Sequence, residues 1–458
     1  MRKRPNPSLF IAAFACAGFG LSSSAAWAGA NSLDRRLVES IKERDQKTFD
    51  MLLRAKADIN SADPDGSTPL AWAVHLGQRS MALALLSAGA DVRVADTYGE
   101  TPLTLACANG DGVLVRGLLA KGAEPNAARW NGETAMMLAA GAGSLDAVKA
   151  LAAQGGDVNA SEPRMGQTPL MWAASEGQND VIRGLVELGA KVDATSKGGF
   201  TPLVFAVIKG DAASVKTLLD KGADPNYTTP SGSKPLMIAL SNGRTDAAMA
   251  LLEGGALVGA RDERVGNTAL HLAAQQGNLA IVQALLARKA DPNARTNKSA
   301  AVPAKVNGDG PRPMAGEQTP LMYAARRDHE DVMRALVAAG ADPSLRAQDG
   351  SSLLMTAAVG ARIKTVKYAY ELDPHVDVLT DSKATVMHAA VALGFRTQPE
   401  VCEIVQFLAD HQAALDEMNA AGQTPLSLAD FLPVDLAVDL LTKMITERGG
   451  KPKIPSSR

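Results

Sequence analysis

The sequence predicts an all-α fold of about twelve helix–turn–helix units connected by β-hairpin-like loops. Three observations favour this class: a pattern of about 33 residues recurs along the chain, apolar residues recur at helical spacing within it, and large rings are scarce. Of the 458 residues, 46% are hydrophobic but only 4% aromatic, and 41 are glycine. This composition favours thin, closely stacked helices over a sheet core. The length also exceeds that at which one hydrophobic core keeps growing, as expected for an array of small units.

Residues 1–28 have the three regions of a secretory signal peptide. Arg2, Lys3 and Arg4 precede the apolar run LFIAAFACAGFGL, and an Ala-x-Ala site ends at Ala28. A transmembrane anchor is the alternative, but the apolar run is too short to span about 30 Å of hydrocarbon. A lipoprotein modified at Cys16 has a poor lead-in sequence. We therefore expect cleavage after Ala28 and export to the periplasm or the cell exterior.

The charge of the exported chain bears on its partners. Loss of the three basic residues takes the formal net charge from −2 to −5, since residues 5–28 carry no charge. A mildly acidic chain argues against nucleic acid as its main partner. After cleavage we expect no membrane attachment, and we expect a monomer.

The repeat explains the stretch GQTPLMWAASEG at residues 166–177, versions of which occur throughout the chain. Most intervals between its Thr positions are 33 or 34 residues, with exceptions of 51 and 39. The positions are Thr68, Thr101, Thr134, Thr168, Thr201, Lys234, Thr268, Thr319, Ser352, Thr385 and Thr424.

Each unit reads as a pair of helices. Two residues after the Thr position there is always Leu or Met, and five residues after it always Ala, which places an apolar stripe on one helical face. Thr168 is expected to cap the first helix, with Pro169 in its first turn and Gly177 ending it. A second helix follows and ends at Gly189, and a polar connection leads to the next cap.

These features together resemble the ankyrin repeat: the period of 33, the Thr-Pro-Leu start, the helix pair and the "GADPN" exit. His271 and His388 match the histidine of that family's TPLHxA signature. The resemblance covers residues 33–447, within a repeat domain that we place at 29–447. It implies a non-catalytic scaffold that binds another protein through hairpin tips and the exposed side of the first helices. An effector that engages host proteins and an enzyme with a cryptic site are the alternatives.

Departures from the pattern cluster late in the chain. Asp328 and Ala361 replace the glycine between the two helices, Asp373 stands where "GAD" should begin, and Lys383 occupies a turn-glycine position. We expect the units from about Thr385 onward to be distorted or less stable.

No residue pattern indicates catalysis, a cofactor or a metal. No histidine pair has metal-ligand spacing, and no nucleophile or phosphate-binding motif is present in the mature chain. Cys107 and Cys402 are eight to nine layers apart at about 8–10 Å per layer, too far for a disulfide. We expect both to be buried thiols.

Large side chains in the connecting loops are the first candidates for partner binding. The expected tip residues are Tyr98, Trp130, Met165, Phe200 and Tyr227. Exposed aromatic residues supply much of the binding energy at protein interfaces. The alternative is that each side chain folds back on its own hairpin.

An insertion at 294–316, within the 51-residue interval, supplies the second group of candidates. Arg295, Lys298, Lys305 and Arg312 outweigh Asp309 and give it a net charge of +3. Arg326 and Arg327 on the next first helix are expected to face the same side, as are Gln275 and Gln276 one unit earlier. This basic surface can hold an acidic protein segment or a carboxylated ligand. A solvated insertion without function is the alternative, and residues 448–458 are expected to form a basic disordered tail.

Overall fold

The structure is a computed structural model that describes residues 32–299, 316–391, 397–430, 432 and 434–452. Tertiary contacts divide the chain into two units. Among the described residues, the first unit contains those from 32 to 157 together with Glu162–Arg164, and the second contains Val158–Ser161 and those from Met165 onward.

The described part of the first unit contains four helix pairs, in which each first helix packs on its own second helix and successive first helices pack on one another. The helices are α1 Ser32–Lys42, α2 Gln46–Arg54, α3 Pro69–His75, α4 Arg79–Ala88, α5 Pro102–Ala108, α6 Gly112–Ala120, α7 Ala135–Gly141 and α8 Leu145–Ala153.

The described part of the second unit continues the same arrangement through eight further pairs. The helices are α9 Pro169–Glu176, α10 Asn179–Glu187, α11 Pro202–Lys209, α12 Ala212–Asp220, α13 Pro235–Ser241, α14 Thr245–Glu253, α15 Ala269–Gln276, α16 Leu279–Ala287, α17 Pro320–Arg326, α18 Glu330–Ala338, α19 Leu353–Gly360, α20 Ile363–Leu372, α21 Val386–Val391, α22 Gln398–Asp410, α23 Pro425–Asp430 and α24 Asp435–Glu447. The prediction of twelve helix pairs in an all-α repeat fold is confirmed.

The capping chemistry that the sequence predicts is present in the structure. The hydroxyl of Thr168 accepts the N–H of Met171 at 3.4 Å, and Pro169 is the first residue of α9. Gly177 ends the helix with a φ of 75°. The repeated Leu and Ala positions are buried, as at Leu170. The recurring residues therefore build the core and the helix ends.

The connecting loops close as hairpins by a few backbone hydrogen bonds, although no described segment forms a β-strand. The N–H of Asp96 donates to the carbonyl of Glu100 at 3.0 Å. Successive loops are also joined: the N–H of Thr97 donates to the carbonyl of Asp65 at 2.9 Å, and that of Asp381 to Asp349 at 2.8 Å. These bonds hold the neighbouring loops together.

Asparagine side chains join successive helix pairs at their exits. The Asn226 side chain donates to the Gly255 carbonyl at 3.3 Å and accepts the Leu257 N–H at 2.8 Å. The same two bonds recur at Asn126, Asn159 and Asn293. This accounts for the asparagine in the repeated exit sequence, because its amide can donate and accept at once.

The late departures are accommodated by side-chain bonds. Asp328 adopts a φ of 66°, and its carboxylate accepts the Arg362 N–H at 3.0 Å and the Thr365 hydroxyl at 2.7 Å, both at the start of α20. The buried Asp373 carboxylate accepts from Arg346 at 2.5 Å. In the last two pairs the first helices α21 and α23 span six residues each, whereas the second helices α22 and α24 span thirteen.

The first residue of the expected tail, residues 448–458, is bonded to the repeat domain. Arg448, expected in a disordered tail, caps α24 and donates from its guanidinium to the carbonyl of Ala409 at 2.6 Å. Residues 453–458 lie outside the described residues.

Candidate binding surface

The loop that carries Tyr98 is held rigidly. The Asp96 carboxylate accepts the backbone N–H groups of both Tyr98 and Glu100 at 2.8 Å, as acidic and amide side chains commonly do at turns. The Tyr98 side chain extends from this turn and the residue is 54% exposed. Its position is thus set by the backbone, while its ring stays available to a partner.

Trp130 occupies the neighbouring hairpin and is 78% exposed. The backbone N–H of Trp130 donates to the backbone carbonyl of Tyr98 at 3.2 Å, which places the two aromatic residues on adjacent tips. Below them, the Arg129 guanidinium lies 2.6 Å from a Glu100 oxygen and 3.0 Å from a Glu133 oxygen. This ion cluster fixes the base of both hairpins.

Met165, the tip residue before α9, belongs to the second unit and is 50% exposed. Its carbonyl accepts the N–H of Lys197 at 2.8 Å. It therefore has the same backbone anchorage as Tyr98.

Phe200 and Tyr227, which were expected at exposed tips, lie in half-buried positions instead. The Phe200 ring packs edge-on against Phe205, with centroids 6.2 Å apart. The Tyr227 hydroxyl donates to the Gly199 carbonyl at 2.8 Å. Phe200 thus packs on the following helix α11, and Tyr227 is bonded to the preceding hairpin. These contacts differ from the folding back on their own hairpins that the alternative interpretation describes.

Gln275 and Gln276 are the last two residues of the first helix α15, and each makes a hydrogen bond to a neighbouring repeat. The backbone carbonyl of Gln275 lies 3.2 Å from Nε2 of His329, and the Gln276 amide donates to the Leu240 carbonyl. Arg326 and Arg327 end the next first helix, α17; Arg326 is half-buried and Arg327 exposed. Burial, followed by the charge of Arg327, lowers the pKa of Arg326.

Arg295 is engaged by the scaffold, contrary to its expected place in a ligand-binding finger. Its Nε donates to the Glu317 carbonyl at 3.1 Å, and its Nη2 donates to the Arg346 carbonyl. Arg261 donates in turn to the Arg295 carbonyl at 2.5 Å. Lys298 remains exposed, with its Nζ 3.9 Å from a Glu317 oxygen.

The two other basic residues of the insertion, Lys305 and Arg312, lie outside the described residues. Their proposed role stays a prediction from the sequence.

The repeating geometry has a counterpart among known families. A family model described as ankyrin repeats (three copies) matches residues 37–129, 114–196, 137–229, 203–296, 302–380 and 321–410, which together cover more than half of the chain. The chain belongs to the ankyrin-repeat family. Ankyrin repeats are generally scaffolds for protein–protein interaction and are typically non-catalytic.

The histidines that match the ankyrin signature are structural. The buried His271 ring accepts the Thr268 N–H at Nδ1, 3.2 Å away, and its Nε2 lies 3.0 Å from the Gln318 carbonyl. His388 makes the corresponding bonds to Thr385 and Gln423. Each imidazole thus joins one ankyrin repeat to the next.

The metal-ligating and thiol side chains of the described residues form no recognisable metal or catalytic site. No group of three or more His, Cys, Asp or Glu side chains there is placed to hold a metal ion. Burial raises the pKa of the Cys107 thiol to about 12, which makes it unreactive. Cys402, expected to be buried, is only half-buried. No helix in the described part of the chain combines the length and apolarity needed to cross a membrane.

Two features of this ankyrin scaffold escaped the sequence analysis. One is the arginine series Arg261, Arg295 and Arg346, each just before its hairpin turn. The first two donate to a carbonyl of the next hairpin, and Arg346 donates to the Asp373 carboxylate at the end of α20. The other is the pairing of asparagines with the following repeat. Both recur at fixed repeat positions, so an alignment of the repeats by position could have revealed them.

Proposed function

We propose that this chain is an exported, non-catalytic scaffold that captures another protein on its hairpin tips and first helices. The observation that carries the proposal is the pair Tyr98 and Trp130. These rings lie largely exposed on adjacent hairpins whose backbones and bases are fixed by hydrogen bonds and ion pairs.

The energetics of binding favour such a pair. Aromatic side chains are enriched among residues that dominate interface affinity. A rigid backbone reduces the ordering cost that binding would otherwise impose. Since neither exposed ring is needed to fill the core, their presence on adjacent tips is accounted for by a partner that covers them.

The test is affinity capture from extracts of the source cell, with identification by mass spectrometry and titration of the captured protein. We expect the double variant Tyr98→Ala/Trp130→Ala to weaken binding by about 30-fold or more, the equivalent of about 2 kcal/mol. Met51→Ala, at an apolar residue of α2 whose 50% exposure is close to that of Tyr98, is the control and should change affinity less than about twofold.

Stability measurements separate the two roles that these rings can have. Because Trp130 is 78% exposed, its removal should cost no more than about 1 kcal/mol of unfolding free energy. Unchanged capture by the double variant, or a loss of capture that merely follows unfolding, would contradict the proposal.

Export is supported by the pattern of residues 1–28, which lie outside the described residues. The chain recovered from fractionated cells should begin at Gly29. Recovery of the intact N terminus in the cytosolic fraction would count against export.

A further inference from the structure

The end of α17 carries two arginines that lack a carboxylate partner among the described residues. Arg326 and Arg327 occur in none of the ion pairs or side-chain hydrogen bonds found there, whereas exposed arginines such as Arg116 and Arg183 lie within 3.1 and 3.5 Å of an aspartate oxygen. Burial, followed by the charge of Arg327, lowers the pKa of Arg326, so an anion beside the two arginines would relieve their repulsion.

The neighbouring repeats do not supply the missing charge. In an earlier pair of repeats, Lys209 occupies the position equivalent to Arg327, and its Nζ lies 3.5 Å from the Glu176 oxygen at the same position one repeat before. The residues that flank Arg327 at this position are Gln276 and Gly360. At this repeat position, the charge of Lys209 is therefore balanced by the glutamate of the preceding repeat, whereas the charge of Arg327 is not balanced by either flanking repeat.

The same holds for Arg326, whose counterparts in the flanking repeats are Gln275 and Val359. A Cβ on Gly360 would lie 2.3 Å from the backbone carbonyl oxygen of Arg326, so the glycine lets the next repeat pack directly against the end of α17. Tyr323, one helical turn earlier, is buried. Arg326 is thus a half-buried cation between Tyr323 and Gly360.

A cation held in this way favours a carboxylate ligand. Partial burial weakens solvent screening, which strengthens its attraction to an incoming anion. Arginine also matches the two oxygens of a carboxylate with two parallel hydrogen bonds.

We infer that Arg326 and Arg327 bind the side-chain carboxylates of an acidic segment of a protein partner. This inference rests on the proposed function and adds the chemistry of one contact. An acidic peptide fits better than nucleic acid, because the chain is net negative and this site offers two cations rather than an extended basic stripe.

The test uses the full chain and a fluorescein-labelled peptide of eight glutamates, with binding followed by fluorescence anisotropy at low salt. We expect Arg326→Gln/Arg327→Gln to weaken binding at least about tenfold. Arg116→Gln/Arg183→Gln removes the same charge from paired arginines and should weaken it less than about twofold. Arg326→Lys/Arg327→Lys should fall between the wild type and the glutamine variant, since lysine keeps the charge but not the paired hydrogen bonds.

Several outcomes would overturn the inference: no binding of the glutamate peptide, equal losses in the two glutamine variants, or equally tight binding of an eight-residue thymidine oligonucleotide. Circular dichroism of each variant controls for folding. Retention of peptide binding by Tyr98→Ala/Trp130→Ala separates this site from the aromatic pair. If the arginine variants keep peptide affinity while the aromatic variant loses the natural partner, this inference alone fails.

Discussion

His271 makes the stability of the second unit dependent on pH. Its Nδ1 accepts the Thr268 N–H, so the ring proton resides on Nε2, which donates to the Gln318 carbonyl at 3.0 Å. A second proton would require Nδ1 to become a donor and would remove the bond from Thr268. Burial is the main reason that the His271 pKa falls from 6.5 to about 4.

The sign and size of the effect follow from this pKa. The unfolded chain takes up a proton near pH 6.5, whereas the folded chain resists it until about pH 4. The stabilisation is therefore complete above pH 6.5 and is lost as the pH falls from 6.5 to 4. At about 1.36 kcal/mol per pKa unit, the loss amounts to roughly 3 kcal/mol.

Urea denaturation between pH 7.5 and 4.5 measures this loss by comparison with His271→Gln, which cannot titrate in this range. The variant should be less stable at pH 7.5, and its deficit relative to the wild type should shrink by most of that 3 kcal/mol at pH 4.5. Leu103→Ala, which removes buried apolar volume without a titratable group, should show a deficit independent of pH. A His271→Gln deficit that stays constant across this range would refute the reasoning.

Two further predictions concern the loops. Gly199→Ala should destabilise the chain by about 2–4 kcal/mol, because the φ of 69° is strained for alanine and the new Cβ would lie 2.3 Å from the Pro230 ring. Gly243→Ala, at a φ of 65° with open space around it, should cost only about 1 kcal/mol in the same urea titration, and equal costs would exclude the steric contribution. Asp193→Asn should stabilise the chain by about 0.5–1 kcal/mol, because an amide could donate to the next repeat as the equivalent asparagines do; a lower urea midpoint would contradict this.

The sequence predicted the helix pairs because their signals are local. Thr168 and Pro169 determine where α9 begins, and Gly177 determines where it ends. Each does so through backbone contacts with residues no more than about four positions away. The buried Leu and Ala positions follow from helical periodicity alone. Even the late exception at Asp328 was recognisable, since a non-glycine residue stands at a position that needs a positive φ.

The binding surface was only partly predictable, because exposure depends on side-chain packing. Tyr98, Trp130 and Phe200 all stand in hairpins, yet only Phe200 has a partner ring, Phe205, five residues further along the chain. The sequence indicated that Arg295 is a cation of the basic insertion, but its guanidinium donates to the Arg346 carbonyl, 51 residues further along the chain. Contacts of this range depend on the stacking of repeats, which no local pattern encodes.

The bonds from Arg261 to Arg295 and from Arg295 to Arg346 connect the repeats on the two sides of residues 300–315. Arg261, Arg295 and Arg346 all lie outside residues 300–315, so the described residues themselves join these repeats. We therefore expect that residues 300–315 can be exchanged for a stretch of different length or chemistry while the repeats on either side keep their register.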